Sequence, residues 1–155
     1  MASITFGAVA GNWSDDTKWV GGVEPGAADD VLLTAASAAC TIDVATTINS
    51  LNCTGYTGTL THNDGIATTI DSQDGTGNSL LFVSTMTYTF PGTARFIFTG
   101  AGTSKITTGG ITLCKVTFNN AGDTFQLQDN LTLSGSSTSL SFSRFKLTAG
   151  TFDPN

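Results

Sequence analysis

From residue 40 onward the chain alternates apolar and polar positions in short segments, among them "CTIDV", "GTLTH", "ATTID", "SLLFVSTMTYTF", "ARFIFTG", "ITLCKVTFNN", "TFQLQ" and "LSFSRFKLTAG". Ile111 and Leu113, and then Val116 and Phe118, fall on one side of the backbone, because successive residues of an extended strand point to opposite faces. Turn-forming clusters such as "NDG", "DGTGN", "GAGTS", "NNAGD" and "GSSTS" interrupt the pattern about every eight to twelve residues. Short strands joined by turns, and hence an all-β chain, follow from this. One stretch competes. "AADDVLLTAASAA" at 27–39 is rich in alanine and follows Pro25 and Gly26 as a helix start would. Val31 and Leu33 nevertheless alternate with Leu32 and Thr34, and "AASAA" has no long apolar side chain to form a helix stripe. A strand at 30–34 followed by a loop is predicted.

The polar positions of these strands are mostly Thr, Ser and Asn, residues that stack on copies of themselves. That favours a β-solenoid, a right-handed β-helix in which each coil lies on the one before. "NSLNCTGYTGTL" and "CKVTFNNAGDTFQL" share an apolar strand, an Asn corner, a Gly turn and a second apolar strand, and read as equivalent corners of successive coils. A β-sandwich with Greek-key connections is the alternative, since coils of about twenty residues should repeat more regularly. Residues 1–155 read as a single domain, with 1–30 as an N-terminal cap and 31–155 as repetitive strands.

Composition narrows the partners. Charged residues make up 12% of the chain, the net charge is -6 and the pI is near 4.3, so the basic footprint of a nucleic-acid or anionic-membrane binder is missing. Neither is expected as a partner. Cys40, Cys53 and Cys114 form no CxxC pair and read as small buried hydrophobes; a Cys40–Cys53 link remains open on spacing. The start "MASITFGAVAG" has neither the basic nor the apolar region of a secretory signal, which predicts synthesis and assembly in a cytoplasm with reduced thiols.

"NWSDDTKWVGGVEPGAADDVLL" followed by "CTIDVATTINSLNCTGYTGTLTHND" resembles the N-terminal segment of β-helical repeat proteins of bacteriophage virions and of related bacterial surface adhesins. "FNNAGDTFQLQDNLTLSG" and "FKLTAGTFDPN" resemble their coil repeats, whereas residues 75–105 fit least and read as a lateral hairpin or an irregular coil. On this resemblance Trp13 and Trp19 close one end of the first coil, with Pro25 and Gly26 turning the chain into Val31 and Leu33. The competing reading makes the indoles a sugar platform, with Asp15, Asp16, Asp29 or Asp30 accepting bonds from hydroxyls or binding Ca2+.

Catalytic signatures are sparse. His62, in "THND", has no nucleophile paired with it in sequence and reads as a surface or strand-end residue. Ser143 and Lys146 match S-x-x-K only on a strand, and "GAGTSK" is a superficial phosphate loop. Asp64, Asp71 and Asp74, the carboxylates a polysaccharide-cleaving β-helix would use, sit mostly in turns where Asp serves the backbone. The sequons at Asn12, Asn52 and Asn130 read as products of composition. No catalytic residue, cofactor or metal is therefore expected.

The expected function is that of a structural virion protein, as a capsid decoration or a fibre or tail-associated subunit located in the virion. It would bind its own copies, a trimer being favoured by the resemblance, and neighbouring virion proteins. A carbohydrate-binding or adhesin module is the alternative, with a glycan as ligand. Alternation at Leu140, Phe142, Phe145 and Leu147 gives an apolar strand that a second subunit would cover.

Overall fold

The computed structural model describes residues 2–134 and 144–154. The chain is all-β: among these residues there is no α-helix, and one turn of 3-10 helix spans Asp16–Lys18. The strands are β1 (Ala2–Thr5), β2 (Gly11–Asn12), β3 (Asp29–Leu32), β4 (Cys40–Ile42), β5 (Thr46–Ile48), β6 (Ser50–Asn52), β7 (Thr59–His62) and β8 (Ala67–Ile70). They continue as β9 (Asn78–Leu81), β10 (Thr87–Thr89), β11 (Arg95–Phe98), β12 (Gly102–Thr107), β13 (Thr112–Leu113), β14 (Lys115–Leu127), β15 (Thr132–Leu133) and β16 (Phe145–Asp153).

Every pairing between these strands is parallel. Antiparallel hairpins, which a Greek-key sandwich requires, do not occur among them. The one antiparallel contact is an isolated bridge between Phe6 and Trp19. The largest sheet runs β1-β3-β6-β9-β12-β14-β11-β8-β5 with β16 also on β14, a second runs β10-β7-β4-β2, and β13 pairs β15. The thirteen-residue β14 belongs to two stacks at once: Lys115–Phe118 pair with β11, whereas Asp123–Leu127 pair with β12. It bends at Asn119–Gly122 between them.

Register aligns apolar residues into columns. Val31 lies beside Leu51, Leu51 beside Leu80, Leu80 beside Ile106 and Ile106 beside Leu127. A second column runs Ile48, Ile70, Phe98, Phe118. All nine are buried, so the alternation read from sequence is the in-and-out alternation of the sheets. Phe98 and Phe118 stack with ring centroids 5.2 Å apart, and Phe118 also meets Phe125, Phe145 and Phe152.

Three local expectations change. Residues 75–105 form no lateral hairpin: β9, β10, β11 and β12 take places in the same parallel stacks as their neighbours. Leu80, Phe96 and Ile106 supply the inward apolar residues that hold them there. The phrases "NSLNCTGYTGTL" and "CKVTFNNAGDTFQL" are not equivalent corners. The first turns from β6 to β7, whereas "NNAGD" bends β14 at the position where Asn49 joins β5 to β6. Strand β3 begins at Asp29, and "TAASAA" after it is loop, so the helix alternative is absent there. Leu140, Phe142 and Ser143 lie outside the described residues.

Candidate functional site

Both tryptophans are buried at the β1 side of the structure. Trp13 continues β2, its N–H donating to Thr41 O at 2.7 Å, which drives its indole inward above β4. Trp19 follows the 3-10 turn, and its Nε1–H donates to Trp13 O at 2.7 Å. The two rings meet edge to face at 4.7 Å, and Phe6 packs the same way on Trp19 at 5.0 Å. Edge-to-face contact suits the quadrupoles of the rings and adds to their area burial. Neither indole offers a face to a sugar. Trp13 Nε1 is buried without a hydrogen-bond partner.

The nearby carboxylates are engaged with turns or with a neighbouring strand. Asp15 caps the 3-10 turn by accepting from Thr17 N and Thr17 Oγ1, at 3.0 and 2.6 Å, and the Thr17 hydroxyl bond holds its carboxyl below the usual range. Asp16 accepts from Glu24 N at 2.7 Å, and Asp29 from Gly26 N at 2.9 Å. Asp30 accepts from Asn49 Nδ2 and Ser50 Oγ. Among the described residues, no group of three or more His, Cys, Asp or Glu side chains is placed to hold a metal ion. Asp64 accepts from Gly65 N, Thr93 N and Thr93 Oγ1, and Asp74 from Thr76 and Asn78. Both are turn clamps. Burial raises the Asp71 carboxyl. "GAGTSK" runs into β12 rather than into a helix, so it has no helix N-terminus for a phosphate.

His62 differs from expectation. It is the last residue of β7, but it is fully buried, because register places it beside Ile42 in an inward column. Its Nδ1 lies 2.9 Å from Tyr88 Oη, Tyr88 Oη donates to Cys114 Sγ at 3.2 Å, and Cys114 Sγ lies 3.5 Å from Lys115 O. Thr68 Oγ1 lies 3.4 Å from Nε2. One proton arrangement gives every member a partner. Cys114 donates to the Lys115 carbonyl, Tyr88 to the thiol, His62 Nδ1–H to Tyr88, and Thr68 to Nε2. The ring is then neutral. Burial pushes the His62 pKa down to about 4, while the Ile66 carbonyl partly favours the charged ring. Burial also drives the Tyr88 hydroxyl well above its usual range and the Cys114 thiol up to about 11. This polar line runs from β7 through β10 to the link between β13 and β14 inside an apolar core, and Phe96 and Phe82 pack around it.

Cys40, Cys53 and Cys114 are free and buried, and burial raises all three thiols. A thiol in that state is a poor nucleophile. Thermal melts with and without reductant should therefore coincide; a melting temperature lowered by reductant would show a stabilising disulfide.

No family model, curated protein or solved structure matches the chain.

Proposed function

We propose that this chain is a right-handed β-solenoid serving as a structural subunit of a bacteriophage particle, as a capsid decoration, fibre or tail-associated protein that binds its own copies and its neighbours. The observation that carries the reading is the recurrence of parallel partners. Asp30 pairs Ser50, Leu51 pairs Leu80, Ile106 pairs Leu127 and Thr124 pairs Thr151, each strand lying on one that came 20 to 29 residues earlier. Chain order also cycles through the stacks, from β6 to β7 to β8 and then from β9 to β10 to β11. Coiling of this kind buries a continuous apolar core and leaves flat, hydrogen-bonded outer faces. Such a body suits load-bearing and surface presentation. The sugar-platform alternative loses support because the indoles are buried and the acids beside them hold turns.

Mass spectrometry of purified particles of a phage that carries this gene tests the reading. Peptides of the chain are expected at a stoichiometry comparable with other particle proteins. Their absence from particles while the protein is present in the lysate would overturn the structural role, and specific binding on a glycan array would favour the adhesin alternative instead.

A further inference from the structure

The charges are divided along the chain. Residues 1–74 hold nine acidic side chains against one lysine, and residues 75–155 hold three against five cations. The fold turns this division into a spatial one. One corner of the structure, between the β4–β7–β10 stack and the β5–β8–β11 stack, can be followed from strand to strand by its hydrogen bonds. Ser14 N donates to Asp43, Asn63 N to Ile42 O, Thr93 N to Asp64, Lys115 N to Ala94 O, and Val116 N to Arg144 O. Down that corner Asp16, Asp43 and Asp64 give way to Arg95, Lys115 and Arg144. Arg95 and Lys115 are direct register partners, and Lys146 stands opposite Thr117 on the same outward face. Thr93 hydrogen bonds first, and then the charge of Lys115, lower the Asp64 carboxyl, so Lys115 is where the acidic and basic sets meet.

Like charges crowd the acidic end. Burial first, and then the charges of Asp16 and Asp43, raise the Glu24 carboxyl. Each end also carries exposed apolar side chains. Val20 and Val23, 66% and 59% exposed, flank the acidic group, while Phe145 and Leu147, 37% and 44% exposed, belong to β16 beside the cations. Val9 is the remaining exposed large hydrophobic side chain among the described residues, and it too lies in the N-terminal segment. Phe145 and Leu147 stand opposite Val116 and Phe118, so they extend the inward apolar columns of β14.

We propose that copies of this chain dock end to end, the Asp16–Glu24–Asp43 rim with Val20 and Val23 of one copy seating on the β16 side of the next, against Lys146, Phe145 and Leu147. The occupant is a second copy because this chain carries both halves of the complement, on the same corner and at opposite ends. The contact is heterologous, using two different patches, so it generates rows or rings rather than a closed two-fold pair. From β1 to β16 the stack crosses six inter-strand steps, about 29 Å at the usual strand spacing, and each added copy lengthens the assembly by about that much. This specifies the self-association within the proposed structural role, yet it is tested separately: particle composition addresses the role, and solution assembly addresses the docking.

Sedimentation velocity and small-angle scattering of the full chain at low salt read the outcome. Concentration-dependent association that lengthens the particle in steps of about 30 Å, and that weakens at about 0.5 M NaCl, is expected. Lys146→Glu and Glu24→Lys should each weaken association by about tenfold, while the equimolar mixture of the two variants regains it. Glu24→Lys separates docking from overall charge, because it brings the net charge of -6 closer to zero and would strengthen non-specific association. A parent chain that stays monomeric up to about 100 µM, a Glu24→Lys variant that associates more strongly, or a mixture that does not recover would each overturn the proposal. Circular dichroism of each variant confirms that a lost association is not lost folding.

Discussion

Replacing Trp13 by alanine lowers the stability of the fold by about 3–5 kcal/mol, the range for removing a large aromatic side chain from a core. The indole is buried, it supports Trp19 edge to face at 4.7 Å, and Trp19 in turn supports Phe6 at 5.0 Å. The cavity therefore lies under two further rings that have lost their backing. Trp13→Phe costs much less, because it keeps much of the packing and removes a buried Nε1–H that has no partner. Urea denaturation of the three proteins measures the differences. An alanine variant within about 0.5 kcal/mol of the parent would show that the lid contributes little to stability.

Acidification from pH 7 to pH 4.5 should destabilise the protein through His62. The folded-state pKa is depressed to about 4, against about 6.5 in the unfolded chain. Between these values the unfolded state takes up a proton that the folded state refuses, so stability is complete above about 6.5 and falls as the pH drops toward 4. The full effect approaches about 3 kcal/mol. Glu24, Asp71 and Asp123 act in the opposite direction, since burial raises their carboxyls and the folded state binds their protons first. They flatten the slope. The comparison that isolates His62 is His62→Leu, which has a smaller loss between pH 7 and 4.5 even if it is less stable at pH 7. Equal losses in parent and variant would assign the acid response to the carboxyls that hydrogen bonds hold low in the fold, Asp15 and Asp64 among them.

The strands were legible because their signal is local. "TLTH", "RFIF" and "KVTF" each alternate within four residues, and each alternates in burial in the structure. The burial of Trp13 and Trp19 was legible too, since two tryptophans among glycines and acids have few other places to go than a core. The partners were not legible. Cys40 pairs Leu60 twenty residues on, whereas Leu60 pairs Tyr88 twenty-eight residues on, so no fixed period announces the register. For the same reason the burial of His62 was hidden. Polarity placed it at a surface, while the groups that satisfy its ring, Tyr88 and through it Cys114, lie 26 and 52 residues further on and only the register brings them alongside. The bend in β14 was not legible because "NNAGD" has the composition of a turn that ends a strand, yet here the pairing continues on both sides of it.

That uneven but short spacing also governs how the chain reaches its structure. Each ladder joins residues separated by 20 to 30 positions, so no strand waits for a partner from the far end of the polypeptide. Loop closure over such spans differs by only a few tenths of a kcal/mol between the shortest and the longest. Assembly can start wherever an aromatic cluster first forms, with the Phe98–Phe118 region well placed, and then zip outward one strand at a time in both directions. Folding should then be limited by forming the first stacked pair rather than by search across the whole chain, and extra residues inserted at a corner should slow it very little.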